Sequence, residues 1–297
     1  MGMKDANVVN SHYSSMNRVY EYIDNNLTEN LSLAVLSQIS GYSAYHFHRI
    51  FHALTGKTLH DYVFERKIYS AASRLLYEES SITQIAYESG FSSSSSFVRS
   101  FRKIFGCSPS SFRKDKVGKR PEDLPSTGYM GYQADEALEK FLTSVDLPDF
   151  TVAGIVTQGL SKEFSSKHIE KAFKSLFAWL IRRNLATPEM QVMGITLDTP
   201  EIVPFTDCRY FACVLADETF SSEGEVTVRT FPTKGRYIRF SMERTQPEFA
   251  REFFKVTDYL YGFHMPNLGI YPDNRPFIEI YSSKGSQIII DFHVPVR

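Results

Sequence analysis

The sequence predicts two domains, an all-α double helix-turn-helix domain followed by an α+β domain of two strand-helix-strand-strand lobes. Three observations predict it. The first 115 residues read as helices and contain an internal repeat. The stretch "DKVGKRPEDLPSTG" (Asp115–Gly128) holds two prolines, two glycines and alternating charge, which marks a boundary. Beyond it, β-rich runs such as "TVAGIV", "RYFACVLA", "RYIRF", "FIEIY" and "IIIDFHV" alternate with two long helical stretches.

The repeat pairs "LAVLSQISGYSAYHFHRIFHALTGKTLHDY" from Leu33 with "ITQIAYESGFSSSSSFVRSFRKIFGCSPSSF" from Ile82. Gly41 matches Gly90. After one inserted residue Phe47, Arg49, Phe51, Gly56 and Tyr62 match Phe97, Arg99, Phe101, Gly106 and Phe112. Each unit reads as a short helix, a tight turn opened by glycine, and a second helix packed on the first, at about 31–56 and 80–106. Five serines, Ser92–Ser96, would pass for a linker, yet Phe97, Phe101, Ile104 and Phe105 follow at helical spacing. Ser92 or Ser93 is therefore expected to cap a helix, with the rest of the tract in its exposed first turns. Between the units "LHDYVFERKIYSAASRLLYEE" reads as one helix of about 30 Å, close to the roughly 34 Å of one B-DNA turn. Such a spacer would set two second helices in successive major grooves on one face of a duplex.

Charge agrees with that division. The net charge is −1, but residues 1–120 carry 15 Lys and Arg against 10 Asp and Glu, while the remainder is acidic. No run approaches the roughly 18 apolar residues of a membrane span and no leader pattern is apparent, so a cytoplasmic location is expected. Cys107, Cys208 and Cys213 are an odd set without a C-x-x-C unit, which supports neither a disulfide framework nor a zinc ribbon. No metal or other cofactor is expected.

The residues from about Tyr13 to Lys114 resemble the AraC/XylS family of bacterial transcription regulators. The resemblance rests on "IAYESGFSSSSSFVRSFRKIFGCSPSSFRK", with Ala86, Gly90, Phe91, Phe97, Arg99, Phe101, Phe105, Gly106, Pro109 and Phe112 in the family's places. Ser37, where alanine is usual, and the serine tract depart from it. From about Tyr132 the chain resembles the gyrase-inhibitor-like effector-binding domain, on "LPDFTVAGI", "HIEKAFKSLFAWLIRRNL", "MGITLDTPEI", "DCRYFACV", "GRYIRF", "RPFIEIY" and "DFHVPV". Here too a repeat is legible: "MGITLD" at Met193 returns as "LGIYPD" at Leu268, and "CRYFACVLA" as "IIIDFHVPV". The resemblances imply a DNA-binding domain at 8–115, a linker at 116–130 and an effector-binding domain at 131–297 with a ligand groove between its lobes.

Candidate DNA contacts are Ala44, Tyr45, His46, His48 and Arg49 in the first unit and Ser94, Ser95, Ser96, Arg99 and Arg102 in the second. Arg49 offers a fork for guanine, whereas serine hydroxyls donate and accept indiscriminately and mainly position the helix. The histidines also fit a plain solvated face. His48 and His52 are spaced i, i+4 as a metal pair would be, but no Cys or carboxylate stands near to complete a shell.

In the second domain Phe277, Glu279 and Tyr281 alternate with Ile278 and Ile280, which sets a carboxylate beside two aromatics. Read alone, that pattern favours an exposed or salt-bridged glutamate on an edge strand. The resemblance implies that a glutamate matching Glu279 anchors small aromatic or cationic molecules, and Trp179, Tyr210 and Tyr271 are candidate groove residues or core. The expected partners are promoter double-stranded DNA, a small-molecule effector and RNA polymerase, with no membrane. The alternatives are a small-molecule hydrolase using Glu279 as general base and a protein-docking module without ligand.

Overall fold

The computed structural model describes residues 15–114, 134–160, 166–200, 202–244 and 248–297. The chain divides into two compact units, Met1–Lys116 and Val117–Arg297 with Glu223–Glu225 excepted. The linker expected at 116–130 and the boundaries expected at 8 and 131 fall outside the described residues. The predicted architecture is the one observed, a helical unit followed by one of antiparallel sheet and helices.

In the first unit a helix through residues 15–25 (α1) precedes α2 (Leu33–Ser40), α3 (Ala44–Thr55), α4 (Leu59–Tyr77), α5 (Ile82–Glu88), α6 (Ser94–Phe105) and α7 (Pro109–Lys114). Hydroxyl caps start most of them: the side chains of Ser32, Ser43, Thr58, Ser81 and Ser93 each accept a bond from a first-turn backbone N–H. Ser93 is thus the residue of the serine tract that opens α6. Met16, Val19 and Ile23 of α1 join Leu36, Phe47 and Phe51 in one buried cluster. In the second helix-turn-helix Phe97 and Phe101 are fully buried, and the Phe101 ring lies 4.6 Å from that of Phe105 and edge-on at 5.2 Å from that of Phe112. The phenylalanines that bracket the serine tract are therefore a core, and the serines its solvent side.

Two positions have local explanations: Ser37, which departs from the family pattern, and Gly90, which keeps it. Ser37 is buried, and its hydroxyl donates to the Ala34 carbonyl at 2.9 Å, so no polar group is stranded. At Gly90 φ is +80°, and an added Cβ would stand 2.9 Å from the Leu27 carbonyl oxygen. Backbone conformation and lack of room both demand glycine there.

The second unit opens with the short α8 (Glu136–Glu139) and contains β1 (Thr143–Leu147), β2 (Phe150–Gln158), α9 (Lys167–Arg182), β3 (Val192–Thr196), β4 (Arg209–Leu215), β5 (Thr227–Phe231), β6 (Gly235–Glu243), α10 (Phe249–Tyr259), a π-helical turn Leu260–His264, α11 (Met265–Leu268), β7 (Phe277–Lys284) and β8 (Gln287–Pro295). The eight strands form one antiparallel sheet in the order β1-β6-β8-β7-β3-β4-β2-β5. The lobes β2-α9-β3-β4 and β6-α10-β7-β8 meet where β3 pairs with β7.

The sheet cannot be flat. Leu147 and Phe150 belong to strands near opposite edges, yet only Pro148 and Asp149 join them. The Thr233 hydroxyl, in the β5–β6 turn, donates to the Pro148 carbonyl at 2.7 Å and accepts from the Phe150 N–H, which ties the two edges together. The curl encloses Phe150, Val152, Met193, Ile195, Phe211, Cys213, Tyr237 and Ile278. Its outer face carries α9 over Ala153, Tyr210, Ala212 and Val214, and α10 over Phe240, Phe292 and Val294.

One part of the expected repeat is corrected. "CRYFACVLA" and "IIIDFHVPV" are equivalent strands β4 and β8, but "LGIYPD" is not a second "MGITLD". Gly194 lies inside β3, whereas Gly269 ends α11 in the left-handed conformation with φ 65°. The true counterpart of β3 is β7, eight residues further on, because the π-helical turn and α11 lengthen the second helical connection.

Candidate DNA interface and effector site

The second helix of each helix-turn-helix unit has one buried and one exposed face. On α3, Phe47 and Phe51 point inward, while Ala44, Tyr45, His46, His48 and Arg49 are exposed. Tyr45 is 74% exposed, and the Arg49 guanidinium lies 5.8 Å from its ring centroid, an arrangement that organises a fork of donors on the surface. His46 stands edge-on to Tyr42 at 5.0 Å. On α6, Ser95, Arg99 and Arg102 are exposed, and Ser94 and Ser96 are half-buried. The Ser96 hydroxyl donates to the Ser93 carbonyl at 2.8 Å, so its proton is committed within the helix start. The two units thus present different chemistry: rings, imidazoles and a guanidinium on α3, short hydroxyls and two arginines on α6. Arg113 is held back, donating to the Ser80 carbonyl at 2.7 Å. Among the described residues no group of three His, Cys, Asp or Glu could hold a metal ion, and His48 and His52 gain no third ligand.

Three of the six effector candidates, Tyr210, Glu279 and Tyr281, converge on the outer face where the lobes meet. Along β7 the side chains of Phe277, Glu279 and Tyr281 lie on the helix-covered face, and those of Ile278 and Ile280 lie in the curl. Glu279 sits opposite Gly194 of β3 and Phe292 of β8. Tyr210 projects from β4, one strand further away, and reaches Glu279 because Gly194 leaves its path open: a Cβ on Gly194 would stand 1.6 Å from the Tyr210 hydroxyl oxygen. Glycine inside a strand often marks such a close approach.

The result is a compact oxygen cluster. Tyr210 Oη lies 2.7 Å from Glu279 Oε2 and 2.9 Å from Tyr281 Oη, and the Tyr281 hydroxyl also bonds Glu279 Oε2. Glu279 is 8% exposed. Burial pushes its carboxyl above the ordinary glutamate range, opposed by the two phenol bonds and the charge of Arg244. Burial likewise drives the Tyr210 and Tyr281 hydroxyls well up, so both remain protonated donors. Oε1 takes no hydrogen bond among the described residues.

Phe173 of α9 completes the walls, edge-on to Tyr281 at 5.6 Å and to Tyr210 at 6.5 Å. Phe177, 38% exposed, stacks on Phe173 and carries the aromatic surface outward along the helix. Sequence reasoning missed both. Their signal was the i, i+4 run Phe173, Phe177 and Ile181, distinct from the core run Ala172, Leu176 and Leu180. The other candidates lie apart from the oxygen cluster. Phe277 packs on Phe253 and Phe292, Trp179 is buried on the inner side of α9 near Phe220, and the exposed Tyr271 pairs its backbone with Arg297.

Comparison with known proteins supplies context for both regions. Residues 36–115 match the helix-turn-helix domain family, and residues 144–296 match the family described as integron-associated effector binding protein. The chain is 34% identical over 103 residues to the regulatory protein SoxS of Salmonella typhimurium, covering 35% of this chain and 96% of that one. It is 34% identical over 105 residues to the HTH-type transcriptional activator AarP of Providencia stuartii, covering 35% and 78%. An integron cassette protein from the mobile metagenome of Vibrio cholerae is similar in structure over 53% of this chain and 97% of its own, with 16% identity and a TM-score of 0.37. Among the described residues no helix is long and apolar enough to cross a membrane.

Proposed function

The chain belongs to the AraC-type DNA-binding transcription regulators and carries an effector-binding domain of the integron-associated family, and from that premise we propose that a small aromatic or cationic molecule bound at Glu279 controls its occupancy of promoter DNA. The observation that carries the reading is the buried carboxylate with one oxygen still unbonded, set among Phe173, Tyr210 and Tyr281. A buried carboxylate is costly unless paired, and a cation supplies the partner while the rings attract its faces. RNA polymerase is the protein partner we propose for the DNA-bound chain. Operator affinity measured with and without a panel of aromatic cations tests the control directly; an affinity unmoved by every compound that binds the second domain would overturn it.

On DNA the two units are expected to read unequally. Arg49→Ala and His48→Ala relax sequence preference at the bases they face, at about 1–3 kcal/mol for each good bidentate contact. Ser94→Ala with Ser95→Ala costs less and acts nearly uniformly across sequences, because hydroxyls on this helix serve phosphates more than base edges. Binding-site selection on the full chain checks this. A second half-site more sharply defined than the first would refute it.

A further inference from the structure

Glu279 Oε2, Tyr210 Oη and Tyr281 Oη form a closed triangle in which every edge is a hydrogen bond. Three bonds need three protons, one per edge, and the two phenols own one each. If both phenols donated to an ionised Oε2, their oxygens would face each other lone pair to lone pair at 2.9 Å with no proton between them. Glu279 is 8% exposed and walled by rings, so the low local dielectric sharpens that repulsion. A third proton on the carboxyl removes the conflict, since each oxygen then donates once and accepts once around the ring.

The groups packed directly against Glu279 are aromatic or uncharged and allow that proton. Opposite Glu279, β3 contributes Gly194 and β8 contributes Phe292. From β4 comes Tyr210, from its own strand Tyr281, and from α9 Phe173. Arg244, just past β6, is the charged group acting on it and favours the ionised form, while burial opposes that form and is the larger influence.

We propose that the empty site stores a proton on Glu279, closing a three-membered hydrogen-bond ring with Tyr210 and Tyr281, and that a cationic effector displaces it. On binding, the O–H bond of the Glu279 carboxyl breaks, its proton passes to solvent, and the ionised carboxylate faces the cation through Oε1. Each phenol keeps its own proton. The effector is thereby read against pH: acid holds the site in its closed ring, and raising the pH opens it to cations. This rests on the effector reading of Glu279 and adds to it a proton that moves with the ligand. The sign follows from linkage. Where the empty site is protonated, a permanent cation must expel one proton, so its affinity rises by up to tenfold per pH unit and levels off once the empty carboxyl is ionised.

Two measurements on the full chain test the coupling. Infrared difference spectra of ligand-free wild type against Glu279→Gln should show a protonated-carboxyl carbonyl stretch that fades as the pH is raised through the range in which the protein stays folded. Calorimetry of N-methylquinolinium, whose charge does not titrate, in buffers of unlike ionisation enthalpy should show release approaching one proton at the acid end. Its uncharged isostere 1-methylnaphthalene should release none. A carboxylate spectrum throughout that range, or cation binding with no proton release anywhere in it, would overturn the coupling and leave the effector reading standing. Failure of the cation to bind at any pH would overturn the effector reading together with the coupling that depends on it.

Discussion

Replacing Glu279 by glutamine is expected to weaken a permanent aromatic cation by about two orders of magnitude while changing the affinity of its neutral isostere by less than about threefold. The magnitude follows from what is removed. A charged partner in a desolvated site is worth about 1.5–3 kcal/mol as a hydrogen bond and more when its counter-charge would otherwise be buried alone. Glutamine keeps the planar head and offers the two phenols both an amide donor and a carbonyl acceptor, so the site retains its shape and the aromatic walls of Phe173 and Tyr281 remain. Only the charge is lost. Calorimetric titration of wild type and variant with the matched pair measures the difference. Equal losses for the two ligands would show that Glu279 does not act through its charge, and the affinity would then have to be assigned to the aromatic surface alone. Thermal unfolding should be little changed or raised, because an acid that burial disfavours in its ionised form is replaced by a neutral group.

What the sequence made legible, and what it hid, divides along physical lines. The helix-turn-helix pair was readable because each unit carries its own period: Phe47 and Phe51 repeat as Phe97 and Phe101, and the turn glycine at 41 repeats at 90. Local rules decide such elements. The cap at Ser93 was narrowed to two residues for the same reason, since only a hydroxyl just ahead of the apolar run can accept from the free N–H groups. Glu279 with Tyr281 was legible from strand alternation, which fixes the face but not what stands on it. Tyr210 was named as a candidate, yet its contact with Glu279 depends on pairing three strands in register across Gly194, and no local pattern encodes that. The misread repeat at Gly269 has the same origin. A glycine after a long helix was matched to a glycine in a strand, because in sequence they share neighbours and only φ tells them apart. The curl of the sheet was invisible for a further reason: it is fixed by two short turns more than eighty residues apart that meet through Thr233.

Gly194→Ala is expected to damage the second domain heavily for the single carbon it adds. Its Cβ would stand 1.6 Å from the Tyr210 hydroxyl oxygen and 2.3 Å from its Cζ, so the tyrosine must leave its place or β3 must shift. Tyr210 has nowhere to go: it is 2% exposed and walled by Phe173 and Tyr281. β3 is equally confined, being paired on one side with β4 and on the other with β7. Overpacking of this kind costs about 1–3 kcal/mol, and stranding the buried hydroxyl adds about 1–3 more. Because Tyr210 is also a donor to Glu279, effector affinity should fall with stability. A second substitution separates the two losses. Tyr210→Leu in the Gly194→Ala background removes the colliding ring end, so stability measured by urea unfolding should recover in part, a non-additive gain over the two single variants. Cation affinity should not recover, since Glu279 has lost its donor from β4. If Gly194→Ala unfolded at the wild-type urea concentration and bound the cation unchanged, Tyr210 would not cross β3 at this point, and the oxygen triangle around Glu279 would lose its geometric basis.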